Sequence, residues 1–140
     1  MGVINAGEIK PYENWTVLIY AKPGIGKTTM VKTLEGKTLL LSVDGMYSVL
    51  SGLSNVDIYT INTKRPHDEI GIFYKYLRAN LDDYDNVVVD NISTLQKFWL
   101  NETARTTTSG LPELKDYPIW DRILIDFIAS LKDLKKNLLS

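Results

Sequence analysis

Thr16-Val17-Leu18-Ile19-Tyr20-Ala21-Lys22-Pro23-Gly24-Ile25-Gly26-Lys27-Thr28-Thr29 is the stretch from which the rest of the chain can be read. Its first five residues are β-branched, apolar or aromatic, which predicts a buried strand over residues 16–20. The next eight match the G-x-x-x-x-G-K-[ST] pattern of a phosphate-binding loop, with Ala21 in place of the first glycine. Gly24 and Gly26 let the backbone turn and bring its N–H groups against phosphate oxygens with no Cβ in the way. A helix expected from Lys27 to about Leu34, ending at Gly36, points its first N–H groups at the same anion. Lys27 reaches the β- and γ-phosphates as a mobile point charge. Thr28 offers its hydroxyl to Mg²⁺, and Thr29 adds a hydrogen bond near the α-phosphate. Pro23, Gly24, Ile25, Gly26, Lys27, Thr28 and Thr29 are therefore the candidate nucleotide-binding residues.

Outward from this loop the chain alternates β-branched runs with amphipathic stretches, the pattern of an α/β protein with a mainly parallel sheet. Further strands are expected at residues 38–43, 56–61 and 86–90. The first and last of these are nearly continuous apolar runs, as in strands covered on both faces. The middle one alternates and suits an edge. One helix is expected over residues 68–81, with Ile70, Phe73, Tyr74, Leu77 and Leu81 on one face. Another is marked by Leu95, Phe98 and Trp99. A long last helix follows the stripe Trp120, Ile123, Leu124, Phe127, Leu131, Leu134 and Leu138. Thr106-Thr107-Thr108-Ser109-Gly110 reads as a loop, and no internal repeat is evident.

Two carboxylates complete the candidate site. Val87-Val88-Val89-Asp90 is an apolar run ending in an acid, the Walker B arrangement, in which Asp90 holds Mg²⁺ through water. Asp44 closes the run Leu41-Ser42-Val43, at the carboxyl-terminal edge where parallel sheets bind ligands. There it would orient and activate the attacking water. The same Asp44-Gly45 pair also suits an ordinary turn. Lys27, Asp44 and Asp90 are the candidate catalytic residues, and Thr28 and Asp90 the candidate magnesium ligands.

Composition bounds the alternatives. The chain has 140 residues, 44% hydrophobic and 24% charged, enough for one domain with a core of its own. With no cysteine there is no disulfide, thiolate zinc site or iron–sulfur cluster. No apolar run approaches the roughly 20 residues that span a bilayer, so no membrane partner is expected and a cytoplasmic location is. A formal charge of −1 lacks the basic footprint of a nucleic-acid binder, so any DNA contact is local. Lys132, Lys135 and Lys136 suit the negative end of the last helix or a solvated face. His67, the one histidine, reads as a surface residue. Tyr12, Trp15, Tyr74, Tyr76, Trp99 and Trp120 read as packing residues. The Asn-Lys-x-Asp signature for guanine is absent, Asn62-Thr63-Lys64-Arg65 matching it only superficially, which favours adenine.

Together these stretches resemble the RecA-like P-loop ATPases encoded by phages, some of which act in single-strand annealing or recombination. The resemblance runs through residues 18–29, 39–45 and 87–92, and through Tyr117-Pro118-Ile119-Trp120 leading into the last helix. It implies a three-layer P-loop NTPase fold, Mg²⁺ as cofactor, ATP as substrate and ADP as product. It also implies single-stranded DNA and further copies of the chain as partners, and the cytoplasm of a bacterial host. Asp44 matches the position where such enzymes keep a water-activating Glu, one methylene longer. The family also places a strand, following the long helix in the chain, between the P-loop strand and the Walker B strand. Residues 138–140 stand about where that strand would begin, so the C-terminal strands are expected to be missing. Residues 1–140 are accordingly expected to form a single P-loop NTPase domain, the amino-terminal part of a longer RecA-like core, with hydrolysis and DNA binding impaired.

Two other functions fit the same loop. A small-molecule kinase would usually carry an arginine-rich lid, whereas Arg65, Arg78, Arg105 and Arg122 are scattered. A catalytically idle nucleotide-binding module would bind ATP without turning it over.

Overall fold

Five strands, all parallel, carry the fold in a computed structural model that describes residues 2–8, 16–17, 28–45, 47–134 and 136–139. They are β1 (Thr16–Val17), β2 (Thr38–Ser42), β3 (Val56–Thr60), β4 (Asn86–Asp90) and β5 (Asn137–Leu139). Their order across the sheet is β1-β5-β4-β2-β3. β2 and β4 are buried along their whole length, as their unbroken apolar runs require, while β3 is half exposed and forms an edge. Three α-helices lie between the strands: α1 (Pro66–Ala79) between β3 and β4, and α2 (Ile92–Ala104) and α3 (Asp116–Asp133) between β4 and β5.

Alternation along the strands sorts the core into two sides. Leu39, Leu41, Val87, Val89 and Leu138 meet Phe73 and Leu77 of α1, Leu95 and Trp99 of α2, and Trp120, Phe127 and Leu131 of α3. Trp99 and Trp120 lie with ring centroids 5.6 Å apart, which locks α2 to α3. On the opposite face Leu40 and Val88 meet Val31 and Leu50. Gly36, at φ +80°, makes the turn into β2, and a Cβ there would run into the Asp85 carboxylate.

Four expectations change. The strand between β1 and β4 is present: Leu138 pairs with Thr16 on one side and Val87 on the other, so β5 fills the position expected to be missing. Correspondingly the last helix stops at Asp133 instead of running to Leu138. Leu131, Leu134 and Leu138 keep helical spacing, but Asn137 is a weak helix former, and Leu138 gains two ladders and full burial in the sheet. The segment after the P-loop is a 3₁₀ helix, Thr28–Thr33, in place of an α-helix. Four of its six residues are β-branched, and Thr33 Oγ1 donates to the Met30 carbonyl at 2.7 Å, both of which weaken α-helical propagation. α1 begins two residues before the expected Asp68, because Pro66 suits the first turn, where it has no N–H to leave unbonded.

Candidate functional site

The carboxyl-terminal ends of β2 and β4 converge on one place. Ser42 pairs with Asp90 in parallel register, so the two side chains leave the same face of neighbouring strands. That face is the one bearing Leu40 and Val88, two residues earlier on each strand. Val31 packs on both of these, which ties the Thr28–Thr33 helix down on the side where Asp90 emerges. Thr28 opens that helix and Thr29 is exposed on it. Pro23, Gly24, Ile25, Gly26 and Lys27 lie outside the described residues. β1 leads towards them: Val17 pairs with Leu139, which pairs with Val88, and the motif begins at Ala21 in the sequence.

Asp90 is 4% exposed at the end of β4, and its carbonyl accepts from the Val43 N–H at 2.8 Å. The Asp90–Asn91 peptide is cis. Asn91 then caps α2, its Oδ1 accepting from the Thr94 N–H at 2.8 Å. β4 ends at Asp90 and α2 begins at Ile92, so the chain leaves the sheet immediately after Asp90. Asp44 is half-buried two residues beyond the end of β2, next to Gly45 at φ +72°. It therefore sits at the same edge as Asp90, in a turn that a glycine permits.

Two hard oxygen donors stand side by side here, the Asp90 carboxylate and the Ser42 hydroxyl, on one face of neighbouring strands. Ser42 is 4% exposed, and its Oγ has no hydrogen-bond partner among the described residues. A buried oxygen left open beside a buried carboxylate suits an ion that brings its own water, which is how Mg²⁺ binds. Among the described residues no three His, Cys, Asp or Glu side chains converge, so no all-protein metal cage is built there. Ser42 is the candidate site residue that sequence reading passes over; its signal is a lone hydroxyl in the run Leu39-Leu40-Leu41-Ser42-Val43.

The other residues singled out in the sequence lie elsewhere. His67 is 38% exposed at the side chain and stacks on Trp99 at 4.5 Å between ring centroids. Its Nε2 lies 2.9 Å from Thr103 Oγ1 and 3.2 Å from a Glu102 carboxylate oxygen, so it joins α1 to α2 at the surface. Trp99 and Trp120 are buried in the core, as expected of packing residues; Tyr74 is half-buried. Tyr12 and Trp15 lie outside the described residues. Arg105 donates to the Lys64 carbonyl at 2.8 Å. No helix among the described residues is long and apolar enough to cross a membrane.

A family model described as an AAA domain matches residues 13–139, almost the whole chain and every element of the sheet. No curated protein and no solved structure matches it.

Proposed function

The chain belongs to the AAA-domain family of P-loop ATPases, and on that premise we propose that it binds and hydrolyses Mg-ATP at the β2–β4 edge, as a RecA-like protein acting on DNA in phage recombination or replication. The observation that carries the nucleotide reading is Asp90: a carboxylate buried at the end of a central parallel strand, on the face against which the post-loop helix packs. The DNA role rests on the sequence resemblance to phage RecA-like proteins.

In this reading the backbone of residues 23–27 holds the phosphate chain, and Lys27 places its charge on the β- and γ-phosphates. Thr28 and, through water, Asp90 would hold magnesium, which when bound offsets charge on the phosphate oxygens. Fixed donors of this kind act where charge grows on the transferring phosphoryl group and need no rearrangement during reaction. Asp44, at the same edge, orients the attacking water and accepts its proton as the phosphorus–oxygen bond to ADP breaks. Residues 1–140 act as one domain in this scheme, with further copies of the chain and single-stranded DNA as partners.

Lys27→Ala tests the nucleotide reading. Calorimetric titration with ADP and Mg²⁺ is expected to show binding by the wild-type chain and none by the variant; equal affinities would remove the loop from the site. Asp44→Asn is expected to keep ADP affinity and to slow ATP turnover by roughly 100-fold, the usual yield of a general base. Unchanged turnover would release Asp44 from the mechanism. Stimulation of wild-type turnover by single-stranded DNA is the outcome that supports the DNA role, and turnover indifferent to DNA counts against it.

A further inference from the structure

β2 and β4 set two polar pairs side by side on one face, and the two are treated differently. At the amino-terminal end, Thr38 pairs in register with Asn86, and Asn86 Nδ2 donates to Thr38 Oγ1 at 3.2 Å and to the Glu35 carbonyl at 2.7 Å. There the buried hydroxyl is satisfied within the fold. Four residues on, Ser42 pairs in register with Asp90, and the Ser42 hydroxyl reaches no partner among the described residues although only 4% of the residue is exposed. A buried hydroxyl left without a hydrogen bond costs about 1–3 kcal/mol, and native folds rarely keep one without a use. An alanine would fill the same place on the strand without that cost. The hydroxyl therefore answers to something the described residues do not supply.

We propose that Ser42 is a positioning residue of the magnesium site, its Oγ accepting a hydrogen bond from a water in the ion's hydration shell while Asp90 accepts from another. The proposal rests on the Mg-nucleotide reading above and adds a residue to it. Magnesium sheds its waters reluctantly and is usually held through several of them, so the protein groups that matter include acceptors for those waters. Strand neighbours lie about 4.8 Å apart, so an in-register hydroxyl and carboxylate on one face can hold two waters of one octahedral shell. Ser42 also lies two residues before Asp44 on the same strand end. Metal-bound water and attacking water would thus be set by a single segment, Ser42-Val43-Asp44.

Ser42→Ala and Ser42→Thr test this, with Mn²⁺ as a paramagnetic substitute read by electron paramagnetic resonance in the presence of ADP. Ser42→Ala is expected to weaken Mn²⁺ binding to the ADP complex by roughly tenfold or more, the usual effect of losing an outer-shell partner. ADP affinity in EDTA is expected to be unchanged. The melting temperature of the ligand-free variant is expected to be no lower than that of the wild type, since no hydrogen bond to the described residues is removed. Ser42→Thr, which keeps the hydroxyl, is expected to retain most of the Mn²⁺ affinity. Wild-type Mn²⁺ affinity in Ser42→Ala would overturn the proposal. So would a lowered melting temperature together with weaker ADP binding in EDTA, which would make Ser42 a packing residue. A wild-type chain that binds no ADP with or without metal would overturn the nucleotide reading and this proposal together, an outcome distinct from either.

Discussion

Tyr84 shows how a single side chain can fasten an edge strand. It is 2% exposed, its hydroxyl donates to Asp57 Oδ2 at 2.6 Å, and the Tyr76 hydroxyl lies 3.3 Å away. Lys37 Nζ stands 3.4 Å from the same carboxylate and 5.5 Å from the centre of the Tyr84 ring. These contacts hold β3 to the start of β2 and to α1. The Tyr84 hydroxyl, with Lys37 assisting and burial opposing, holds the Asp57 carboxyl below its ordinary range. Burial, then the bond to Asp57 and the approach of Tyr76, push the Tyr84 phenol well above its ordinary 10.0. The carboxylate's contribution to stability is thus present above about pH 4 and is lost as pH falls through its lowered folded value. The phenol's contribution is present below pH 10 and is lost as pH rises towards its raised folded value. Tyr84→Phe is expected to cost about 1 kcal/mol in urea unfolding at pH 7, the half exposure of Asp57 holding the figure down. The cost should shrink at pH 3 and again above pH 10. A cost constant across that range would detach the stability from these two groups.

Elements show how far the sequence reaches and where it stops. β2 and β4 are legible because Leu39-Leu40-Leu41 and Val87-Val88-Val89 have no polar residue to turn outward, so burial on both faces is their one stable use. α1 is legible from its spacing, but its start is not: Pro66, Asp68 and Glu69 lie in the first turn, two residues earlier than the apolar stripe alone places it. Asp90 follows from the same logic, since an acid that ends such a strand is carried to the ligand edge. β5 is not legible: Leu134 and Leu138 satisfy a helical stripe as well as a sheet, and only the neighbouring strands decide between them. The 3₁₀ form of Thr28–Thr33 is likewise a contest between Val31, which needs burial, and threonines that bond back to the backbone. Ser42 escapes because hydroxyls are common in strands, and whether one is satisfied depends on its cross-strand partner.

For the molecule as a whole, β5 bridges the gap between β1 and β4. Among the described residues β1 pairs with β5 alone, and β5 contributes three residues to hold it against β4. Leu138, 1% exposed at the centre of that bridge, belongs to the larger core cluster. Leu138→Ala is expected to lower stability by about 2–5 kcal/mol, the usual cost of such a truncation. In the proposed nucleotide reading, in which the loop follows β1 in the chain, it should also weaken ADP binding measured well below the melting point. A variant that melts early yet binds ADP with unchanged affinity would show that β1 is held in place by other contacts.

That bridge also sets the order of events on the ribosome. β2 pairs with both β3 and β4, so these three can assemble as soon as they emerge. β1 is made first, yet its partner is the last element described, more than 100 residues later. Synthesis at about 5–20 residues per second leaves β1 without its strand neighbour for several seconds, and contacts so distant in sequence are slow to form. A nascent chain would thus complete the β1–β5 side of its sheet last, and a chaperone that shields a lone apolar strand would have its opportunity in that interval.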